Sequence, residues 1–268
     1  MIRSYAIVTA AALGLAGLTA RRNQDYQGAL ALWRDTVAKR PQNAIAHANL
    51  ADTLVATGRT ADGIVEYERA LALRPRYAEA QADLAGILGR TGRVMEAIGH
   101  YEAAVAVAPR DPDIRNRFGA QLLEAGRLPE ARVQLEAAQA RRPDYAPTHY
   151  NLGLVWAREG RADEAIGQFQ TALALAPADA DTANELGTAL AARGRWAEAE
   201  QAFETALRLK PESADAENNL GIVLAQTGRR AEAQAHFTRA VDLRPGFADA
   251  ERNLDRVRRP APAEEPGP

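Results

Sequence analysis

Ala146–Asp179 reads APTHYNLGLVWAREGRADEAIGQFQTALALAPAD, and this 34-residue pattern recurs on both sides of itself without a slip. Proline falls every 34 residues at Pro41, Pro75, Pro109, Pro143, Pro177, Pro211 and Pro245. Glycine keeps the same step at Gly58, Gly92, Gly126, Gly160, Gly194 and Gly228, and alanine keeps it at Ala70, Ala104, Ala138, Ala172, Ala206 and Ala240. Chance does not hold three residue types in register over six copies. A strict period of this length means stacked supersecondary units, so the repeat is read before any search for chemistry.

With Ala146 as position 1, small or apolar residues fall at positions 4, 7, 8 and 11 (His149, Leu152, Gly153, Trp156), which is helical spacing. Gly160 ends that helix, because the residue just past a helix end often needs the left-handed backbone that glycine adopts freely. Asp163 and Glu164 place acid in the first turn of a second helix, and Pro177 stops it. Ala165, Phe169 and Ala172 at positions 20, 24 and 27 give that helix its buried face. The small residues let two antiparallel helices approach closely, and the aromatic is expected to fill the space between one repeat and the next.

These residue types at these positions resemble the tetratricopeptide repeat, a helix–turn–helix unit of the same length. The resemblance implies an all-α fold, a right-handed α-solenoid. Six full copies are read at 44–77, 78–111, 112–145, 146–179, 180–213 and 214–247. Repeat 112–145 is the least regular: Leu135 replaces the aromatic, Pro129 opens its second helix, and Gln139 and Arg141 replace aliphatic residues. It is expected to be the weakest layer. Residues 248–259 read as a capping helix with a charged outer face, and 260–268 (PAPAEEPGP) as a disordered acidic tail.

Residues 1–24 carry an apolar run from Tyr5 to Ala20 between Arg3 and Arg21. It reads as a signal peptide, as a membrane anchor, or as the first helix of an incomplete repeat completed by 25–43. The readings are not exclusive; the first two direct residues 1–22 to a membrane or across it, with basic residues on both flanks leaving the orientation open, and the third alone leaves the chain in the cytoplasm. The junction DYQGALALWRDTVAKRPQNAIAHANLA resembles the point where certain membrane-embedded glycosyltransferases pass into a C-terminal tetratricopeptide array. That resemblance implies an extracytoplasmic array without its catalytic membrane part.

A formal charge of −2 argues against a general nucleic-acid or anionic-membrane binder. With no cysteine, disulfides, thiolate catalysis and cysteine zinc sites are excluded. The four histidines show no metal spacing, and two of them, His47 and His149, share position 4, a packing site. No phosphate loop or nucleophile–base arrangement appears. No cofactor, metal or catalysis is therefore expected.

What remains is interaction. The resemblance implies a concave groove lined by the first helices, with positions 5 and 6 facing it. Asn49, Asn116, Asn151, Asn184, Asn218, Asn219 and Asn253 occupy those positions, with Tyr150 among them. An amide offers donor and acceptor together, so a row of them can hold an extended main chain without reading side chains. The arrays of O-linked N-acetylglucosamine transferases use asparagine at position 6 in this way. Here Asp83, Arg117 and Glu185 interrupt the row. Acids at position 2 (Glu79, Asp113, Asp181, Asp215, Asp249) read as helix-dipole partners. Arginine at position 16 is followed by an acid three residues later in every copy, which reads as a local ion pair. The expected function is a scaffold that binds a protein or peptide partner, with a glycosyltransferase-associated array or a self-assembling homo-oligomer as the other readings.

Overall fold

The computed structural model describes residues 27–259, so the signal, anchor and tail readings fall outside the described residues. Helix α1 covers 27–39. It is followed by α2 (Ala44–Ala56), α3 (Thr60–Leu73), α4 (Ala78–Arg90), α5 (Val94–Val107), α6 (Pro112–Glu124) and α7 (Leu128–Gln139). Then come α8 (Ala146–Arg158), α9 (Ala162–Leu175), α10 (Ala180–Ala192), α11 (Trp196–Leu209), α12 (Ala214–Gln226), α13 (Arg230–Leu243) and α14 (Ala248–Arg258). The fold is an all-α solenoid of helix–turn–helix repeats, with no strand among the described residues. It divides into two compact units, one through Gln121 and one from Leu122. In the first, α2 packs on α3 and α4 on α5, and α3 leads into α4. In the second, α8–α9, α10–α11 and α12–α13 pair in the same way, α7 packs on α8, and α14 covers α13.

The turn inside each repeat has one geometry. In α8 the Gly160 N–H donates to the Ala157 carbonyl and the Arg161 N–H to the Trp156 carbonyl, at 3.0 and 2.8 Å. This double closure needs a left-handed residue between them, and Gly160 has φ +75°. The next helix then starts without a side-chain cap. Its first turn is held instead by the arginine, whose Nε donates to the Glu164 carboxylate at 3.0 Å. The same pair recurs as Arg59–Asp62, Arg93–Glu96, Arg127–Glu130, Arg195–Glu198 and Arg229–Glu232, all exposed. The arginine row is local architecture, as its acid partners suggest.

The core fits glycine against aromatic. A Cβ on Gly153 would lie 2.4 Å from the Phe169 ring, and on Gly187 or Gly221 it would lie 2.7 Å from Phe203 or Phe237. The position-24 ring therefore seats on position 8 of its own repeat, rather than only bridging to the next. Ala183 and Ala206 of one repeat cluster with Ala216 of the next, with Leu173 and Leu207 packed around them.

The histidines are not plain packing residues. Position 4 hydrogen-bonds position 23, across the two helices of one repeat. The pairs are His47–Glu66 at 2.6 Å, Gln81–His100 at 2.5 Å, His149–Gln168 at 2.8 Å and Glu217–His236 at 2.6 Å. His47 and His149 use their second ring nitrogen on the carbonyls of Pro41 and Pro143. Each buried histidine thus ties its helix both to its partner helix and to the proline turn before it. Burial pushes the His100 imidazole below its ordinary pKa. In repeat 180–213 two alanines, Ala183 and Ala202, take the places of the pair.

Candidate interaction groove

In the second unit the first helices α8, α10, α12 and α14 lie side by side. Positions 5 and 6 meet along that face. Asn253 Nδ2 donates to Asn218 Oδ1 at 2.9 Å, Asn218 Nδ2 to Asn219 Oδ1 at 3.4 Å, and Asn219 Nδ2 to Asn184 Oδ1 at 3.1 Å. Glu185 follows Asn184 directly on α10. Four amides form one directional chain across three helices, ending at Asn184. Each amide carries two N–H donors and its oxygen two lone pairs, so the chain uses only part of the capacity of its members. Asn218 is buried and serves as an internal link, whereas Asn184, Asn219 and Asn253 are half-buried and present the remaining capacity.

The interhelix links join position 6 of one repeat to position 5 of the repeat before, a spacing of 35 rather than 34. The sequence row treated the two positions as parallel lines and missed the crossing. The signal was present: Asn184, Asn218, Asn219 and Asn253 stand in that relation.

A cavity of about 420 Å³ adjoins the Glu185 end of the chain, walled by Tyr150, Asn184, Glu185 and Asn219, with Asp181, Asp215 and Lys210 also lining it. Tyr150 is half-buried, its ring 6.1 Å from that of Phe169. Burial, reinforced by Glu185, Asp181 and Asp179, pushes its hydroxyl up to about 12. Burial also raises the Glu185 carboxyl above the usual range; the neighbouring Asn184 amide opposes this, the Asp181 charge adds to it and the Arg158 charge opposes it. The position-2 acids at the rim are engaged. Lys210 lies 3.4 Å from Asp181, and Arg244 grips Asp215 with two hydrogen bonds of 2.9 and 2.6 Å.

The first unit differs. Asp83 and Arg117, which seemed only to interrupt the asparagine row, bind each other at 2.8 Å. Arg117 also donates to the Ala82 carbonyl at 2.7 Å and lies over the Tyr101 ring. The Tyr67 hydroxyl donates to Asp52, and burial raises the pKa of both groups. Side chains of this face thus satisfy one another. Asn49 is half-buried on α2, Asn116 is buried on α6 and Asn151 is half-buried on α8. Of the eight residues singled out from sequence, the structure brings together Asn184, Asn218, Asn219 and Asn253, with Tyr150 at the cavity.

Among the described residues no group of three or more potential ligands could hold a metal ion, and no helix is long and apolar enough to cross a membrane. Two tetratricopeptide repeat family models match the chain, one at 15–75, 49–113 and 184–248, the other at 144–212. The chain belongs to the tetratricopeptide repeat family. Comparison with curated proteins gives no match. Solved tetratricopeptide structures share the fold. Pseudomonas aeruginosa pilF superposes with a TM-score of 0.71 at 22% identity over 81% of this chain and 99% of its own. YrrB, described as a TPR protein with an unusual peptide-binding site, gives 0.59 at 22% identity over 70% and 97%. The APC/C hetero-tetramer Cut9-Hcn1 gives 0.73 at 19% identity, where this chain covers 87% of itself but only 46% of that chain. Such repeats are protein-interaction scaffolds as a class, and fold alone does not name the partner.

Proposed function

We propose that the second unit binds an extended peptide along α10, α12 and α14, holding its main chain on the asparagine amides. The observation that carries this reading is the continuous chain Asn253–Asn218–Asn219–Asn184. Equivalent side chains on successive first helices recur at a regular step, as do the amides of an extended peptide. The face is polar, with Ile222 as its exposed aliphatic anchor, so recognition rests on hydrogen bonds and is broad. The first unit contributes less, because its polar side chains already satisfy one another.

Each main-chain hydrogen bond contributes about 0.5–1.5 kcal/mol net, so several must be removed together. The test is a chain carrying Asn184→Ala, Asn218→Ala and Asn219→Ala, screened beside the wild type on an array of extended polar peptides. Retained helicity is checked by circular dichroism. The expected result is a loss of at least about tenfold in affinity across the bound set. Unaltered binding by the folded triple variant would refute the reading.

A further inference from the structure

We propose that the cavity between α8, α10 and α12 seats the side-chain cation of a lysine or arginine in the bound peptide, with Glu185 as counter-charge and the Tyr150 ring as wall. This rests on the groove reading above and adds the ligand chemistry of one subsite.

Three observations converge. The first is charge. Of the carboxylates at the cavity, Asp215 has Arg244 and Asp181 has Lys210, but Glu185 makes no ion pair among the described residues. Arg158 acts on it only at longer range, its guanidinium being bonded to the Leu123 carbonyl, so the half-buried carboxylate lacks a direct counter-ion in the empty protein. That lack is relieved when a cation enters. The second is direction. Every step of the amide chain donates toward Asn184, the residue before Glu185, and Asn184 and Asn219 line the cavity, so the chain brings its spare N–H groups beside it. Peptide carbonyls would accept from those groups while the side chain reaches in. The third is size. A cavity of about 420 Å³ has room for one long side chain. One wall is an aromatic ring, against which a cation is attracted.

The probes are three acetylated, amidated peptides of about eleven Ser, Thr, Gln and Gly residues, differing only in a central lysine, norleucine or glutamate. Binding to the full chain is read by fluorescence anisotropy. The lysine peptide is expected to bind about tenfold tighter than the norleucine peptide, and the glutamate peptide weakest. Glu185→Gln should bring lysine and norleucine peptides within about twofold of each other by weakening lysine binding, with retained helicity by circular dichroism showing that the variant is folded. Tyr150→Phe should keep the preference. Equal binding of lysine and norleucine peptides by the wild type overturns the subsite but leaves the groove standing. A lysine preference that survives Glu185→Gln places the cation elsewhere and overturns it too. Binding of none of the three overturns the groove reading together with it.

Discussion

Two glycines in adjacent second-unit repeats answer different demands, and substitution separates them. Gly187 stands where a Cβ would fall 2.7 Å from the Phe203 ring, whereas Gly167, exposed on α9, has open space around its Cβ position. Gly187→Ala should destabilise by about 1–3 kcal/mol through overpacking, while Gly167→Ala should stabilise by about 0.5–1 kcal/mol through backbone entropy. Denaturant melts of the two variants check both signs; equal shifts would show that the ring does not seat on position 8. Glu185 carries a further residue-scale expectation. Its folded pKa is raised by burial, so between its unfolded and folded values the native state holds more protons than the unfolded state, and stability falls as pH rises through that window. Glu185→Gln should therefore raise the melting temperature at neutral pH, and the gain should shrink as acid protonates the wild-type residue. A variant less stable than wild type at neutral pH would contradict this. Affinity for a cationic peptide should move the other way, being lost as Glu185 protonates.

At the scale of the helix, the sequence is legible where one residue type is obliged to recur. Position 15 must be left-handed, so glycine marks every turn, and arginine with its acid marks every second helix. The start of each first helix is less uniform. Asn43, Asp179 and Ser213 cap their helices through side-chain oxygens, and Asp111 accepts from Asp113 and Ile114 in the same way. Tyr77, Tyr145 and Phe247 stand in the same place without capping; there Arg74, Arg142 and Arg244 lie over the rings at 4.7, 3.7 and 4.7 Å. Two physical solutions share one position, and a search for a single residue type passes over both. The position 4–23 pairs escaped for that reason: histidine, glutamine and glutamate interchange there, so only the spacing of 19 persists. The groove was legible as positions but not as bonds. The interhelix amide links run at 35, one residue off the period, and that offset appears only when helices are placed side by side.

Across the molecule, nearest-neighbour stacking makes stability a local quantity, so the order in which helices open can be read along the chain. Within the second unit the weakest second helix should be α7. It has 12 residues where α9, α11 and α13 each have 14. It lacks the aliphatic pair represented by Leu173 and Leu175 in α9, having Gln139 and Arg141 in their places. Gln139 recovers part of the loss through contacts of 3.2 and 3.3 Å to His149 and Gln168, which are long and half-exposed to competition from water. The Arg132 Nε is buried without a hydrogen bond, its carboxylate partner Glu159 standing 3.9 Å away. Leu135 is fully buried, so the core of α7 is intact and its deficit lies at its C-terminal end. Native-state hydrogen exchange should therefore show amides of 135–139 exchanging at least about tenfold faster than those of 169–173 in α9, the matching stretch one repeat on. Equal protection of the two stretches would mean that the aliphatic pair at the end of α9 adds nothing to the stack.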